Sequence, residues 1–262
     1  ICTFVFTYLK NNFSPFPFSP IPLRQVFFNN TLAQRIGIDG WIVGMVGNNS
    51  QEMDNEMAIG LTDELFEREN REGLSLSALN MQRGREHGLP AYSDFLAECG
   101  RKFGGLYPVN VSNVKTFDDI RALFPPAVFE SIRSVYNNDP TSTDLFSAGM
   151  GESPTNPRFR RTRRRISQGS LPNPILGPTF TCLLIDQFER LRDGDRFFYL
   201  NNQFTSSQLL AIQERQFSDI ICNNINIVSV PEQAFLIDHQ YNSCTEERKR
   251  MNLQPWLVSV LI

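Results

Sequence analysis

Asn80, Arg83 and His87 lie three and then four residues apart within Leu74–Tyr92. At 3.6 residues per turn that spacing puts all three side chains on one face of a helix. An amide, a guanidinium and an imidazole in a row form a stripe of donors that can face a buried anion or a cofactor. The same spacing suits a solvated helix face followed by a C-cap turn, and spacing alone leaves both readings open. Leu76 and Leu79, three apart, would mark a second, apolar face. Gly84 weakens the helix, and Gly88 followed by Pro90 marks its end.

Other elements must hold this helix in place. Residues 11–23 carry four prolines, which fix φ and remove donors, so the segment is extended. It reads as a packed loop with aromatic anchors rather than an SH3-type ligand. A short helix is expected over Leu23–Ala33, a turn over Gly37–Trp41, and an apolar run of undecided type over Ile42–Val46. Thr62 is placed to cap a helix over Thr62–Glu69, with Leu65 and Phe66 facing inward. Pro90 should open the first turn of a further helix that ends near Cys99-Gly100. Two helices, Lys115–Leu123 and Pro125–Tyr136, break at Pro125-Pro126, and Val128, Ile132 and Val135 have helical spacing.

Phe180, Leu183, Leu184, Phe188 and Leu191 give a strongly amphipathic helix that ends at Asp193-Gly194-Asp195. Thr205 and Gln208 form a capping box with Phe204 stapled to Leu209, and the helix they open is expected to reach about Cys222. Its inner positions would be Leu209, Ile212, Phe217, Ile220 and Ile221.

Composition excludes some functions. The chain has 262 residues, 41% hydrophobic and 20% charged, ordinary values for a globular protein, with 22 phenylalanines to build buried surface. A net charge of −3 does not suit a nucleic-acid binder. No apolar run is long enough to span a bilayer. The five cysteines, Cys2, Cys99, Cys182, Cys222 and Cys244, contain no CxxC pair, so no zinc site is expected. His239 reads as a surface or loop histidine, with no second ligand at a useful spacing.

Six arginines between Arg158 and Arg165 repel one another, and residues 153–171 read as an exposed, mobile, Arg-rich loop. A contact with anionic glycans and a processing site are the alternatives. Asn12, Asn29, Asn48 and Asn110 begin N-x-[ST] sequons, which are glycosylation candidates in a secreted protein. The apolar start at Ile1 lacks a basic leader and a cleavage site. It reads as the cut edge of a longer chain.

The run Ala78-Leu79-Asn80-Met81-Gln82-Arg83-Gly84-Arg85-Glu86-His87-Gly88-Leu89-Pro90 closely resembles a signature of the animal haem peroxidases. Glu86 stands where the family has Asp, which keeps the charge. Phe27-Phe28-Asn29, Gly37-Ile38-Asp39, Gly177–Tyr199 and Ile221-Cys222-Asn223-Asn224 match other family wording. Asp144–Glu152 does so with Ala148 in place of the first glycine.

The resemblance implies a mainly α fold with long loops and little β. It implies that residues 1–262 form the C-terminal portion of one haem peroxidase domain, with the Arg-rich residues 153–171 an exposed insertion within it, because the family's wording is shorter there. By it, Asn80 accepts a hydrogen bond from the proximal histidine and Arg83 pairs with a haem propionate. The proximal histidine, distal histidine and distal arginine would lie upstream, so this chain alone would be inactive. The family's disulfides map onto Cys99–Cys182 and Cys222–Cys244, with Cys2 unpaired or bonded upstream. Disulfides imply an oxidising, extracellular setting.

Hydrogen peroxide and a halide, thiocyanate or phenolic donor are the implied substrates. Calcium is allowed, with ligands upstream; Asp193-Gly194-Asp195 lacks the remaining acids of a calcium loop. The competing expectation is a non-catalytic peroxidase-like adhesion or matrix module.

Overall fold

Helix ends in this chain are set mostly by single residues that break or cap. The computed structural model describes residues 5–49, 55–68, 71–154, 176–235, 240–244 and 252–257. In chain order it contains β1 (Val5–Phe6), β2 (Ile21–Pro22), α1 (Thr31–Ile36), α2 (Asp39–Gly47), α3 (Ile59–Thr62), α4 (Leu76–Glu86) and α5 (Tyr92–Phe103). Then come a 3-10 helix (Phe117–Leu123), α6 (Pro126–Val135), α7 (Leu145–Gly151), α8 (Pro178–Gly194), α9 (Ser206–Gln213) and α10 (Phe217–Asn224). β3 (Ser229–Pro231), β4 (Tyr241–Ser243) and α11 (Gln254–Leu257) follow among the described residues. The fold is mainly helical. Its strands form two antiparallel pairs, β1 with β2 and β3 with β4, Val230 opposite Asn242 in the second.

Several expected boundaries move, each for a local reason. The helix expected over Leu23–Ala33 is a 3-10 turn, Leu23–Gln25, followed by α1. Phe28 takes φ +56° between them, a conformation that ends any helix. The turn expected over Gly37–Trp41 shortens, because Asp39 already starts α2, which also takes in Ile42–Val46. Thr62 closes α3 instead of capping a helix, and its hydroxyl donates to Asp63 Oδ2 at 2.6 Å. Beyond it Phe66 has φ +59°, and Leu65 and Leu74 form an antiparallel bridge. Leu65 is buried as expected, while Phe66 is half-buried against the rings of Phe27 and Phe28.

Pro90 precedes Ala91, the N-cap of α5, so it lies outside the first turn, and α5 continues to Phe103. The segment before Pro125 is a 3-10 helix, opened by a capping box between Thr116 and Asp119. The Thr205–Gln208 capping box forms as expected, but the helix stops at Gln213. Gln216 is extended and starts α10 with a third capping box, to Asp219. Ile221 is buried, but Phe217 and Ile220 are exposed. The Arg-rich run Arg158–Arg165, Cys2 and His239 lie outside the described residues.

The chain divides into two compact units. One comprises residues 1–51, 58–74 and 195–262, and the other 52–57 and 75–194. The first has a core of Leu9, Val43, Ile221, Cys222, Ile225, Ile227, Val230 and Cys244, in which Cys222–Cys244 is a disulfide. The second packs Tyr92 and Leu96 of α5 against Phe117, Ile120 and Leu123, Phe129 of α6, and Leu145 and Ala148 of α7. Its disulfide, Cys99–Cys182, staples α5 to α8.

Val128 and Ile132 pack on that core, but Val135 is exposed. So is most of the stripe expected to be the inner face of α8: Leu184, Phe188 and Leu191 are 46%, 66% and 55% exposed.

Candidate functional site

α4 begins after Ser75 and ends at His87, with Gly88 and Pro90 beyond it, close to the expected limits. The helix buries none of its residues, so packing alone does not fix its rotation. Its polar face looks into a cavity of about 760 Å³ within the second unit, a volume in the range of cofactor pockets. Asn80, Arg83 and His87 line it together, as their spacing predicts. The apolar part of the wall comes from Met81, Leu89, Pro90, Phe146 and Phe180.

Arg83 donates to Glu86 and, at 2.7 Å, to His87 Nε2. A guanidinium has no acceptor, so the imidazole must present a bare Nε2 to it. His87 is therefore tied to Arg83 at the end of the helix. Among the described residues no group of three His, Cys, Asp or Glu side chains could hold a metal ion.

On the opposite flank of α4, Arg85 donates to Asp144 through Nε (2.9 Å) and one terminal nitrogen (2.6 Å). This is the planar two-bond geometry that arginine makes with a carboxylate. Tyr136 Oη donates to Asp144 Oδ2 at 2.8 Å and lies 3.0 Å from Ser147 Oγ. Arg85 beside it holds the Asp144 carboxyl below the usual carboxylate range, against the opposing effect of burial, and Tyr136 adds to the lowering. Both Arg85 and Asp144 also line the cavity.

The C-terminal end of α7 belongs to a buried polar cluster whose residues do not line the cavity. Glu152, 5% exposed, ends α7. Its carboxyl accepts from Tyr92 Oη and Thr179 Oγ1, and from the Thr179 N–H at 2.8 Å. Tyr107 Oη stands 3.2 Å from Thr179 Oγ1. Burial pushes the Glu152 carboxyl up to about 7, although the bonds from Thr179 and Tyr92 pull the other way.

Two glycines allow this packing. A Cβ on Gly177 would sit 2.3 Å from Glu152 Cβ, and one on Gly149 would sit 2.4 Å from the Phe180 ring. Ala148, the departure from the family wording, is fully buried in the core and its methyl group is accommodated there.

The Arg85–Asp144 pair and the Glu152 cluster are not visible from helical spacing. Their partners are 59, 60 and 27 residues away in sequence. The one signal in the chain is that Asp144 and Glu152 bound a single motif-like segment and that Gly177 and Thr179 open another.

A family model described as animal haem peroxidase matches residues 3–235. The mouse peroxidasin homologue is 33% identical over 261 residues, covering 95% of this chain and 16% of that protein. Mouse lactoperoxidase is 32% identical over 258 residues, again 95% of this chain and 32% of the relative. Human thyroid peroxidase is 31% identical over 242 residues, 89% of this chain and 23% of the relative. The chain thus spans about a third or less of the length of these relatives. Among solved structures, the fatty acid alpha-dioxygenase of Arabidopsis thaliana superposes with a TM-score of 0.55 at 16% identity, covering 94% of this chain and 38% of that one. That likeness concerns the fold.

Proposed function

Because this chain belongs to the animal haem peroxidase family, we propose that the α4 face forms one wall of a haem site in a secreted peroxidase. The observation that carries the reading is that Asn80 and Arg83 share one cavity with an otherwise largely apolar wall. A flat, largely apolar group with carboxylate arms fits that combination of donors and hydrophobic surface. Bound haem would supply the reduction of hydrogen peroxide coupled to oxidation of a small donor, a halide, thiocyanate or phenol.

In this reading Asn80 Oδ1 accepts the second ring N–H of the iron-binding histidine and so fixes the ring's tautomer and direction. Arg83 grips a propionate, with Glu86 and His87 keeping its fork at the rim until the carboxylate joins or replaces Glu86. The iron ligand and the distal histidine and arginine are assigned to segments other than those described. His87 is the one histidine among the described residues, and its Nε2 is already taken by Arg83.

The test is a haemin titration of purified residues 1–262, followed in the Soret region. Weak binding with no peroxide turnover is expected. Robust turnover would show that the iron ligand has been misplaced. If the haem-ligand segments are supplied and still no haem binds, a non-catalytic adhesion or matrix module becomes the better reading.

Secretion is part of the proposal. Two disulfides support it, and Asn12, Asn29, Asn48 and Asn110 are all exposed. At Asn12 and Asn110 the side-chain oxygen accepts the N–H two residues on, from Ser14 and Ser112. Protein from a secretory host is expected to lose mass on enzymatic removal of N-glycans, and an unchanged mass would count against glycosylation. No helix among the described residues is long and apolar enough to cross a membrane.

A further inference from the structure

Asp144 is the N-cap residue of α7, yet its side chain makes no capping hydrogen bond to that helix. Aspartate is a preferred N-cap because its oxygens satisfy the first free N–H groups. Here both oxygens are turned away to α4 and α6, and the side chain is only 14% exposed. One oxygen accepts from Arg85 Nε, and the other from the Arg85 terminal nitrogen and Tyr136 Oη. The segment that carries Asp144 is itself braced. The Tyr92 N–H donates to the Thr143 carbonyl at 2.9 Å, and Thr143 Oγ1 donates to the Asp139 carbonyl at 3.1 Å.

Arg85 is two residues from Arg83, about 200° around the helix, and five from Asn80. α4 has half-buried but no fully buried residues, so packing restrains its roll only weakly and a polar tie can set it. A two-bond ion pair on the flank of α4 sets that roll, and the roll sets where the amide of Asn80 and the fork of Arg83 point.

We propose that Asp144, held by Tyr136, is a positioning residue for the cofactor wall. It acts through Arg85 to fix the bearing of Asn80 and Arg83 on their ligand. The inference rests on the haem reading given above and adds to it a residue to which that reading gives no bond to the iron's histidine or the propionate.

The experiment uses the haem-loaded full-length protein and compares wild type with Asp144→Asn, Arg85→Lys and the swapped pair Arg85→Asp with Asp144→Arg. Arg101→Met serves as a control, because it removes an exposed pair with Glu98 neither of whose residues lines the cavity. Asp144→Asn and Arg85→Lys should each shift the Soret maximum and the iron–histidine stretching band, and lower haem affinity about tenfold. The swapped pair should recover part of both, and Arg101→Met should match wild type.

Wild-type spectra and affinity in Asp144→Asn would overturn the proposal. So would spectral shifts equal to those of a Cys99→Ser, Cys182→Ser variant at the same loss of thermal stability, since the effect would then be general loosening. A wild-type protein that binds no haem would instead remove the haem reading itself.

Discussion

Arg83→Ala in the haem-loaded protein will weaken haem binding by about ten- to a hundredfold, the equivalent of one charge-assisted hydrogen-bonded contact of about 1.5–3 kcal/mol. The guanidinium is the strongest fixed charge on the cavity's polar stripe, and its neighbours Glu86 and His87 cannot replace it: one repels a carboxylate, and the other is engaged through Nε2. Arg83→Lys should rescue only in part, because an ammonium lacks the planar fork. Asn80→Ala acts on a different coordinate. On the proposed assignment it removes the acceptor for the iron ligand's ring N–H, and outer partners of this kind are worth about ten- to a hundredfold in affinity or activity.

The first variant should raise the haem concentration needed for activity. The second should shift the Soret band even when the site is saturated. Both assignments are lost if each variant binds haem with wild-type affinity and an unshifted spectrum.

Glu152 should make the second unit lose stability as pH rises. Its carboxyl is raised in the folded chain to about 7, from 4.5 for the free group. A group raised on folding contributes its stability fully below the unfolded value and loses it as pH climbs through the folded one. Between about pH 4.5 and 7 the wild type should therefore lose on the order of 3 kcal/mol relative to Glu152→Gln. The glutamine can still accept the Thr179 N–H but carries no titratable proton. Subtracting the two stability curves, each from denaturant unfolding at a series of pH values, isolates this group from Asp144 and other carboxyls. Asp144 is lowered on folding and loses its contribution in acid instead. Parallel curves for wild type and Glu152→Gln would mean that the cluster does not hold a proton. Glu152→Ala is a harsher change, because it leaves the buried Tyr92 hydroxyl and the Thr179 N–H without their acceptor.

Much of α4 and of its polar face was legible because local rules decide them. Three residues at helical spacing share a face whatever else surrounds them, and Gly88 with Pro90 stops a helix without help from tertiary structure. Both disulfides followed from the resemblance and are present in the structure.

Where the expectation failed, distant contacts or backbone exceptions decided the outcome. No propensity places Phe28 or Phe66 in the left-handed region. Gln216 restarts a helix inside a periodic pattern of apolar residues that reads as continuous. Periodicity found the stripe of Leu184, Phe188 and Leu191 but says only that the positions share a face, not that anything covers them. Arg85–Asp144 and the Glu152 cluster join residues from separate parts of the chain, so no window of sequence contains both partners.

The meeting of Glu152 and Gly177 has one more consequence. Thr179 bonds the carboxyl from one side of the gap, and the Ser153 N–H is pinned to the Leu123 carbonyl at 2.7 Å on the other. The described residues on the two sides, Glu152 and Gly177, are therefore held against each other like a closed stem. Once such a stem is zipped, each doubling in length of what it encloses costs only about 0.6 kcal/mol. Holding Glu152 against Gly177 thus keeps α7 and α8 in register at little cost from the length of chain that joins them.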